Sequence, residues 1–176
     1  MTSLTKNIEI REPTAKDAEL LMNFGNQLLG ETTFYVRKPG ERANTPEEML
    51  RILNWYKETH SQTMLHAWID HMPVGEVVIA AGQLARTSKC AQLGIGVLST
   101  YQGHGVGAAL MKAAETYARQ ENLHRIEFTV LHHNSKAYSF YQKLGYVEEG
   151  RKRQSVFIDN LYYDEILMGK IISPSS

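Results

Sequence analysis

The segment Leu93–Gly107, LGIGVLSTYQGHGVG, restricts the architecture of this chain more than any other stretch. A short apolar strand runs into Gln102-Gly103-His104-Gly105-Val106-Gly107, and an amphipathic helix follows. A strand that passes through glycines straight into a helix belongs to a β-loop-α unit, with the first helical turn at the strand's end. The glycines let the backbone approach a ligand without Cβ hindrance, and the first turn offers unpaired N–H groups at the positive end of the helix dipole. The segment reads as a cradle for an anionic diphosphate.

Two other phosphate loops compete for it. A triphosphate loop needs GxxxxGK[ST], but Ala108 follows Gly107 and no lysine is placed to reach a terminal phosphate. The dinucleotide pattern GxGxxG/A is closer: Gly103, Gly105 and Ala108 satisfy it, and Glu127 lies about 20 residues on. Against it, Glu127 falls early in its strand, and only one clean strand-loop-helix-strand unit is visible. A glycine-rich connection with no ligand is the third option.

A second helix separates these options. From Asn134 to Tyr146 the chain reads NSKAYSFYQKLGY, with Ala137, Phe140, Tyr141 and Leu144 at helical spacing and Gly145 as the stop. Taken with Gln102-x-x-Gly105-x-Gly107, this resembles the GNAT superfamily of N-acetyltransferases, whose motifs read Q/RxxGxG/A and NxxAxxxYxxxGF. Tyr146 stands where the family usually has Phe, and the likeness covers residues 92 to 149.

The resemblance implies acetyl transfer from acetyl-CoA, as cosubstrate, to an amine. It implies that Gln102, Gly103, His104, Gly105, Val106, Gly107 and Ala108 hold the CoA pyrophosphate, and that Ile95, Gly96 and Val97 pair with the pantetheine arm. Gly94 and Gly96 would ease the splaying of this strand from its neighbour, or would relieve crowding within the sheet. Asn134, Ala137 and Tyr141 complete the cofactor set, and Tyr141 matches the family's proton donor to the departing thiolate. A phenol suits that role because it stays protonated near neutrality. Many relatives carry a basic Glu where this chain has Gln92. Glu31, Glu76, His66 and His133 are the substitutes, Glu31 foremost, and attack by the small neutral fraction of the amine is the alternative.

Composition supports one domain over residues 1–172, followed by a frayed tail at 173–176. The chain has 176 residues and 43% hydrophobic content, enough for one well-filled core. Lys plus Arg equals Asp plus Glu at 19 each, so no global field draws it to nucleic acid or anionic membrane. Cys90 is the single cysteine, and the N-terminus lacks a secretion signal, which together fit the cytoplasm. His60, His71, His104 and His124 lack metal-ligand spacing, and no metal is expected. Arg151-Lys152-Arg153 reads as a solvated strand edge.

The remaining elements follow from pattern. Strands are expected at Ile8–Arg11, Met64–Asp70, Val74–Leu84, Ala91–Leu98, Arg125–Leu131, Tyr146–Glu149, Ser155–Ile158 and Tyr162–Met168, with turns at His71-Met72-Pro73 and Asp159-Asn160. Thr14 and Asp17 open a first helix that buries Ala18, Leu21 and Leu28. Thr45-Pro46-Glu47-Glu48 opens a second with a capping box and a first-turn proline. The helix from Gly105 to Gln120 shows a stripe of Val106, Leu110, Ala113 and Tyr117. The fold class is therefore α/β (α+β), a mixed and mostly antiparallel sheet of about seven strands flanked by about four helices.

If the family layout holds, the polar surface loop Gly30–Asn44, Phe157-Ile158-Asp159-Asn160 and Tyr162-Tyr163-Asp164 border the acceptor pocket. Glu31 and Asp164 there favour a cationic amine. A small primary amine, polyamine or amino acid is the first reading, and a protein N-terminus is the second. A non-catalytic acetyl-CoA or dinucleotide-binding module is the competing class, and a homodimer stays open.

Overall fold

Seven strands and four helices follow one another as β1 (Glu9–Arg11), α1 (Ala18–Gly30), α2 (Pro46–Glu58), β2 (Gln62–Ile69), β3 (Met72–Ala81), β4 (Cys90–Val97), α3 (Val106–Gln120), β5 (Arg125–Leu131), α4 (Ser135–Lys143), β6 (Val147–Ile158) and β7 (Leu161–Ile171). The structure is a computed structural model that describes residues 7–172, so the expected frayed tail at 173–176 lies outside the described residues. The strands form one sheet in the order β1-β2-β3-β4-β5-β7-β6, and only β4 and β5 run parallel. This is the mixed, mostly antiparallel sheet expected from the sequence.

Local chemistry starts the helices where the pattern placed them. Thr45 Oγ accepts the Glu48 N–H at 3.2 Å with Pro46 opening the helix, while the Glu48 carboxylate takes the Asn44 N–H at 2.7 Å, one residue earlier than a capping box would. Asp17 takes the Thr14 N–H at 2.7 Å and closes a 3-10 turn, Ala15–Asp17, that leads into α1. α1 and α2 bury Leu21, Phe24, Leu28, Met49 and Leu53 against Met64 and Trp68 on one face of the sheet. α3 and α4 cover the other face, where Leu110, Met111, Ala114, Ala118 and Tyr141 meet Val77, Ile79, Ile126 and Phe128. At roughly 1.5–3 kcal/mol for each large side chain removed from water, both layers are structural and neither is an appendage.

Several expectations need correction. The buried side of α3 is Val106, Leu110, Met111, Ala114 and Ala118, while Ala113 and Tyr117 are only half-buried. Alanine at 114 and 118 lets the helix lie close on the sheet, and the bulkier Tyr117 is left at the margin. The first hairpin turns at Asp70-His71, both at positive φ, rather than at His71-Met72-Pro73. That is the mirror-image turn whose twist matches two flanking strands. β3 ends at Ala81 rather than Leu84, because the following loop folds back on Gly82, where a Cβ would stand 2.3 Å from Thr87 Oγ1. The two extended pieces expected beyond Gly145 are one strand, β6, whose register against β7 shifts between Glu148 and Gly150 and between Lys152 and Val156. Loop 31–44 is not purely surface, since Ala43 is buried and the Arg42 side chain is only 9% exposed.

Candidate active site

β4 and β5 run together only briefly. Their ladder joins Cys90–Gln92 to Arg125–Glu127 and stops, whereas β4 stays paired with β3 as far as Val97. From Leu93 onward the sheet forks. Leu98 N–H donates to Val74 O at 3.0 Å, so by antiparallel alternation Gly96 also faces β3, and the N–H and C=O groups of Ile95 and Val97 point into the fork. Gln102 donates its amide to Val97 O at 3.1 Å, and the Tyr35 phenol interacts with the Val97 N–H.

Gly96 is required by close approach. A Cβ there would stand 2.6 Å from Leu28 Cδ2 and 2.7 Å from the Tyr35 hydroxyl, and one at Gly94 would stand 3.1 Å from Val78 Cγ2. Crowding against the neighbouring side chains accounts for Gly96, while at Gly94 a shift of a few tenths of an ångström by Val78 would relieve the contact.

The cradle lies just past the fork. A 3-10 turn, Ser99–Tyr101, leads to Gln102, and Gly103 and Gly105 take φ of +79° and +85° with open space where a Cβ would sit. Their backbone conformation is what calls for glycine. Gly107 is different: a Cβ would meet Phe140 Cζ at 3.3 Å, so its smallness serves the contact between α3 and α4. The first helical bond of α3 runs from Ala109 N–H to Gly105 O at 3.0 Å. Val106, Gly107 and Ala108 therefore have no carbonyl within the helix to donate to. His104 is exposed on the same turn. Lys136 Nζ donates to Gln102 Oε1 at 3.0 Å and adds a positive charge beside these N–H groups. An anion of diphosphate size fits such a turn.

α4 presents the third component. Asn134 caps it by accepting the Ala137 N–H at 3.2 Å, which places Tyr141 about two turns further on. The Tyr141 ring packs at 4.4 Å from Phe128 and 5.3 Å from Phe140 and is 9% exposed. Burial, with the neighbouring Tyr35 second, pushes the Tyr141 phenol above its ordinary value, so it keeps its proton at neutral pH.

The substitutes for a general base differ in their surroundings. Gln92 is bonded to Glu127, which Arg125 also holds. Glu31 accepts the Ser99 N–H at 2.7 Å and the Gln27 amide at 3.2 Å, tying the end of α1 to the turn before the cradle. Glu76 lies against Arg42 at 2.7 Å and His66 at 3.2 Å, the latter close but poorly aligned for a hydrogen bond. Burial alone would push the Glu76 carboxyl up, but Arg42 and then His66 outweigh it and hold the group at about 2. A carboxylate so acidic is a poor proton acceptor near neutrality, which corrects its candidacy. His66 is fully buried, edge-on to Phe24 at 5.7 Å. His133 is exposed between Phe34 at 5.3 Å and Tyr163 at 4.6 Å, and through it loop 31–44, the β5–α4 turn and β7 meet at one mouth.

Tyr35, Arg42 and Lys136 were not singled out by sequence reasoning. Burial and then the Glu76 charge push the Tyr35 phenol up to about 12, so it too is neutral. Its place in the short apolar run Phe34-Tyr35-Val36 of a mostly polar loop was its only local signal. Lys136 sits inside the second motif, where a cation two residues after Asn134 could have been read. Arg42 had no signal, because its partner Glu76 is 34 residues away.

Among the described residues, no three His, Cys, Asp or Glu gather as a metal site, and no helix is long and apolar enough to cross a membrane. Residues 29–146 match the model of the acetyltransferase (GNAT) family. The chain is 24% identical over 165 residues to "Putative ribosomal N-acetyltransferase YdaF" of Bacillus subtilis (strain 168), covering 92% of this chain and 89% of that protein. It is 33% identical over 108 residues to L-amino acid N-acetyltransferase AaaT of Escherichia coli (strain K12), covering 61% and 67%. A crystal structure of a GNAT-family acetyltransferase from Streptococcus pneumoniae superposes with a TM-score of 0.89 at 32% identity, over 95% of this chain and all of the other.

Proposed function

Because the chain belongs to the acetyltransferase (GNAT) family, we propose that it transfers the acetyl group of acetyl-CoA directly to a primary amine of a small molecule, in the cytoplasm. What supports this reading most is the continuity of fork and cradle: the edge groups of Ile95 and Val97, which β5 leaves without a strand partner, lead to the free N–H groups of Val106–Ala108. The positive-φ glycines leave that turn open, which fits a diphosphate joined to an extended amide-bearing arm.

In this reading Gln102–Ala108 hold the diphosphate, with Lys136 giving up its bond to Gln102 to neutralise charge. Ile95, Gly96 and Val97 receive the arm along the open strand edge, flanked by Asn134 and Ala137. Bound acetyl-CoA supplies an activated acyl group with a thiolate leaving group. Tyr141 carries a proton on its hydroxyl and gives it to the departing sulfur as negative charge builds there. Tyr35 hydrogen-bonds the Val97 N–H until the acyl group takes that place. Both Glu31 oxygens already accept hydrogen bonds, so we assign it to holding the loop; the amine attacks from its neutral fraction, the carbon–sulfur bond breaks as the C–N bond forms, and the proton shed by the nitrogen passes to water, from which Tyr141 is reprotonated. The likeness to a ribosomal N-acetyltransferase gives a second reading, a protein α-amine.

Thermal melting tests the cofactor. A ligand that binds only the native state adds stability, and saturating acetyl-CoA should add about 2–3 kcal/mol, raising Tm by several degrees, while NAD leaves it unchanged. A shift with NAD and none with acetyl-CoA would sink the assignment. CoA release over a panel of amines that includes a short peptide then separates the two acceptor readings.

A further inference from the structure

Resting on that reading, we infer that the groove between α2 and loop 31–44 is the subsite for a carboxylate on the acceptor, so that the preferred amine is anionic at its far end, as an amino acid is. The carboxylates that would attract a cationic acceptor already accept hydrogen bonds from this chain's own donors. Glu31 holds Ser99 and Gln27, and Asp164 accepts the Gln154 N–H at 2.8 Å and faces Arg151 at 3.5 Å.

The unspent groups are guanidiniums. The groove encloses about 590 Å³ and is lined by Arg37 and Arg51, with Trp55 and Tyr56 as walls and Arg42 at its floor. That volume suits a small molecule. Among the described residues, neither Arg37 nor Arg51 has a carboxylate within ion-pair distance. Glu41 and Glu48 also line the groove, but they accept the backbone N–H groups of Lys38 at 2.8 Å and Asn44 at 2.7 Å. What remains is two planar guanidiniums with no carboxylate partner, set beside aromatic faces while Glu41 and Glu48 are turned to backbone N–H groups, an arrangement that matches the shape and hydrogen-bonding of a carboxylate.

The floor connects this groove to the chemistry. Arg42 is bound to Glu76, Glu76 stands opposite Gly96 in the β3–β4 ladder, and the Tyr35 hydroxyl lies over Gly96 at the fork. Arg37 also acts on Tyr56, whose phenol is pushed up by burial and by Glu76 and drawn back by Arg42 and Arg37. The groove is therefore joined to the open end of β4 through Arg42, Glu76 and Gly96, on the side of the sheet covered by α1 and α2.

Matched acceptors test this. With acetyl-CoA saturating, CoA release followed and each rate referred to the neutral fraction of its amine, kcat/KM for L-leucine should exceed that for L-leucinamide and for 1,4-diaminobutane by about tenfold or more, the scale of one charge-assisted pair. The double variant Arg37→Gln/Arg51→Gln should bring leucine and leucinamide to near parity through KM for leucine. Arg153→Gln, on β6, should keep the wild-type ratio. Leucinamide or the diamine accepted as well as leucine, or a preference that survives the double variant, would overturn the subsite and leave acetyl transfer standing. No release with any amine or with a peptide, despite acetyl-CoA binding, would overturn the proposed function and the subsite with it.

Discussion

Residues 102–108 keep their shape through main chain, whereas loop 31–44 is held by side chains that reach across the fold. In the first region two glycines at positive φ and the free N–H groups of one helical turn define the surface. In the second, Arg42 is tied to Glu76 on β3, Asn26 on α1 bonds Gly40 and Ala43, and Phe34 packs at a tilt against His133 beyond β5. A main-chain site binds what many substrates share, and it tolerates any side chain that respects its dihedrals. A side-chain site can be retuned by single substitutions, but each of its buried charges depends on a distant partner.

The largest effect should fall on the side-chain region. Glu76→Leu leaves the Arg42 guanidinium buried and unpaired and should cost about 3–5 kcal/mol in denaturant unfolding. A cost below about 1 kcal/mol would mean that the loop is not anchored there. Acid should imitate the substitution. The Glu76 carboxyl is depressed from 4.5 to about 2 in the folded state, so its stabilisation is complete above 4.5 and disappears as pH falls toward 2. Urea midpoints across that window should converge for wild type and variant.

Next is the group between the two regions. Tyr141→Phe keeps the packing on Phe128 but removes the hydroxyl, and should lower kcat by about 10²-fold with acetyl-CoA affinity nearly unchanged. A change confined to KM, or a stability loss that tracks the activity loss, would make Tyr141 a packing residue.

Two glycine substitutions then test the main-chain region against itself. Gly105→Val forces a β-branched residue to φ near +85° and should cost about 1–2 kcal/mol of stability and at least about tenfold in acetyl-CoA affinity by calorimetry. Gly107→Ala meets only the edge of Phe140, and both quantities should change by less than about 1 kcal/mol. Equal losses at both positions would show that space, and not backbone conformation, shapes the cradle.

The same contrast explains what could be read from the chain alone. Gln102, Gly105, Asn134 and Tyr141 lie in two short patterns whose spacing carries their geometry, and Thr45-Pro46 announced α2 with a cap of one turn. Tyr35 over Gly96 and Arg42 against Glu76 are meetings of residues far apart in sequence, created only when the sheet orders β3 beside β4. Periodicity erred by one position on α3 because apolarity does not reveal which small residues the sheet will admit most closely. Extended pieces on either side of Lys152 read as two strands because a bulge interrupts alternation without ending the pairing.

β6 forms one margin of the sheet, twelve residues long and mostly exposed, while the opposite margin, β1, has only three residues. A long bare strand edge recruits further strands from other molecules. Here two register shifts break its line of free N–H and C=O groups, and Arg151, Lys152 and Arg153 load it with cations, the first two facing Asp164 and Glu165 on β7. An incoming strand would have to bend twice and strip solvent from three positive charges. The run that read as a solvated strand edge in the sequence thus lies where cations and register shifts disfavour the addition of another strand.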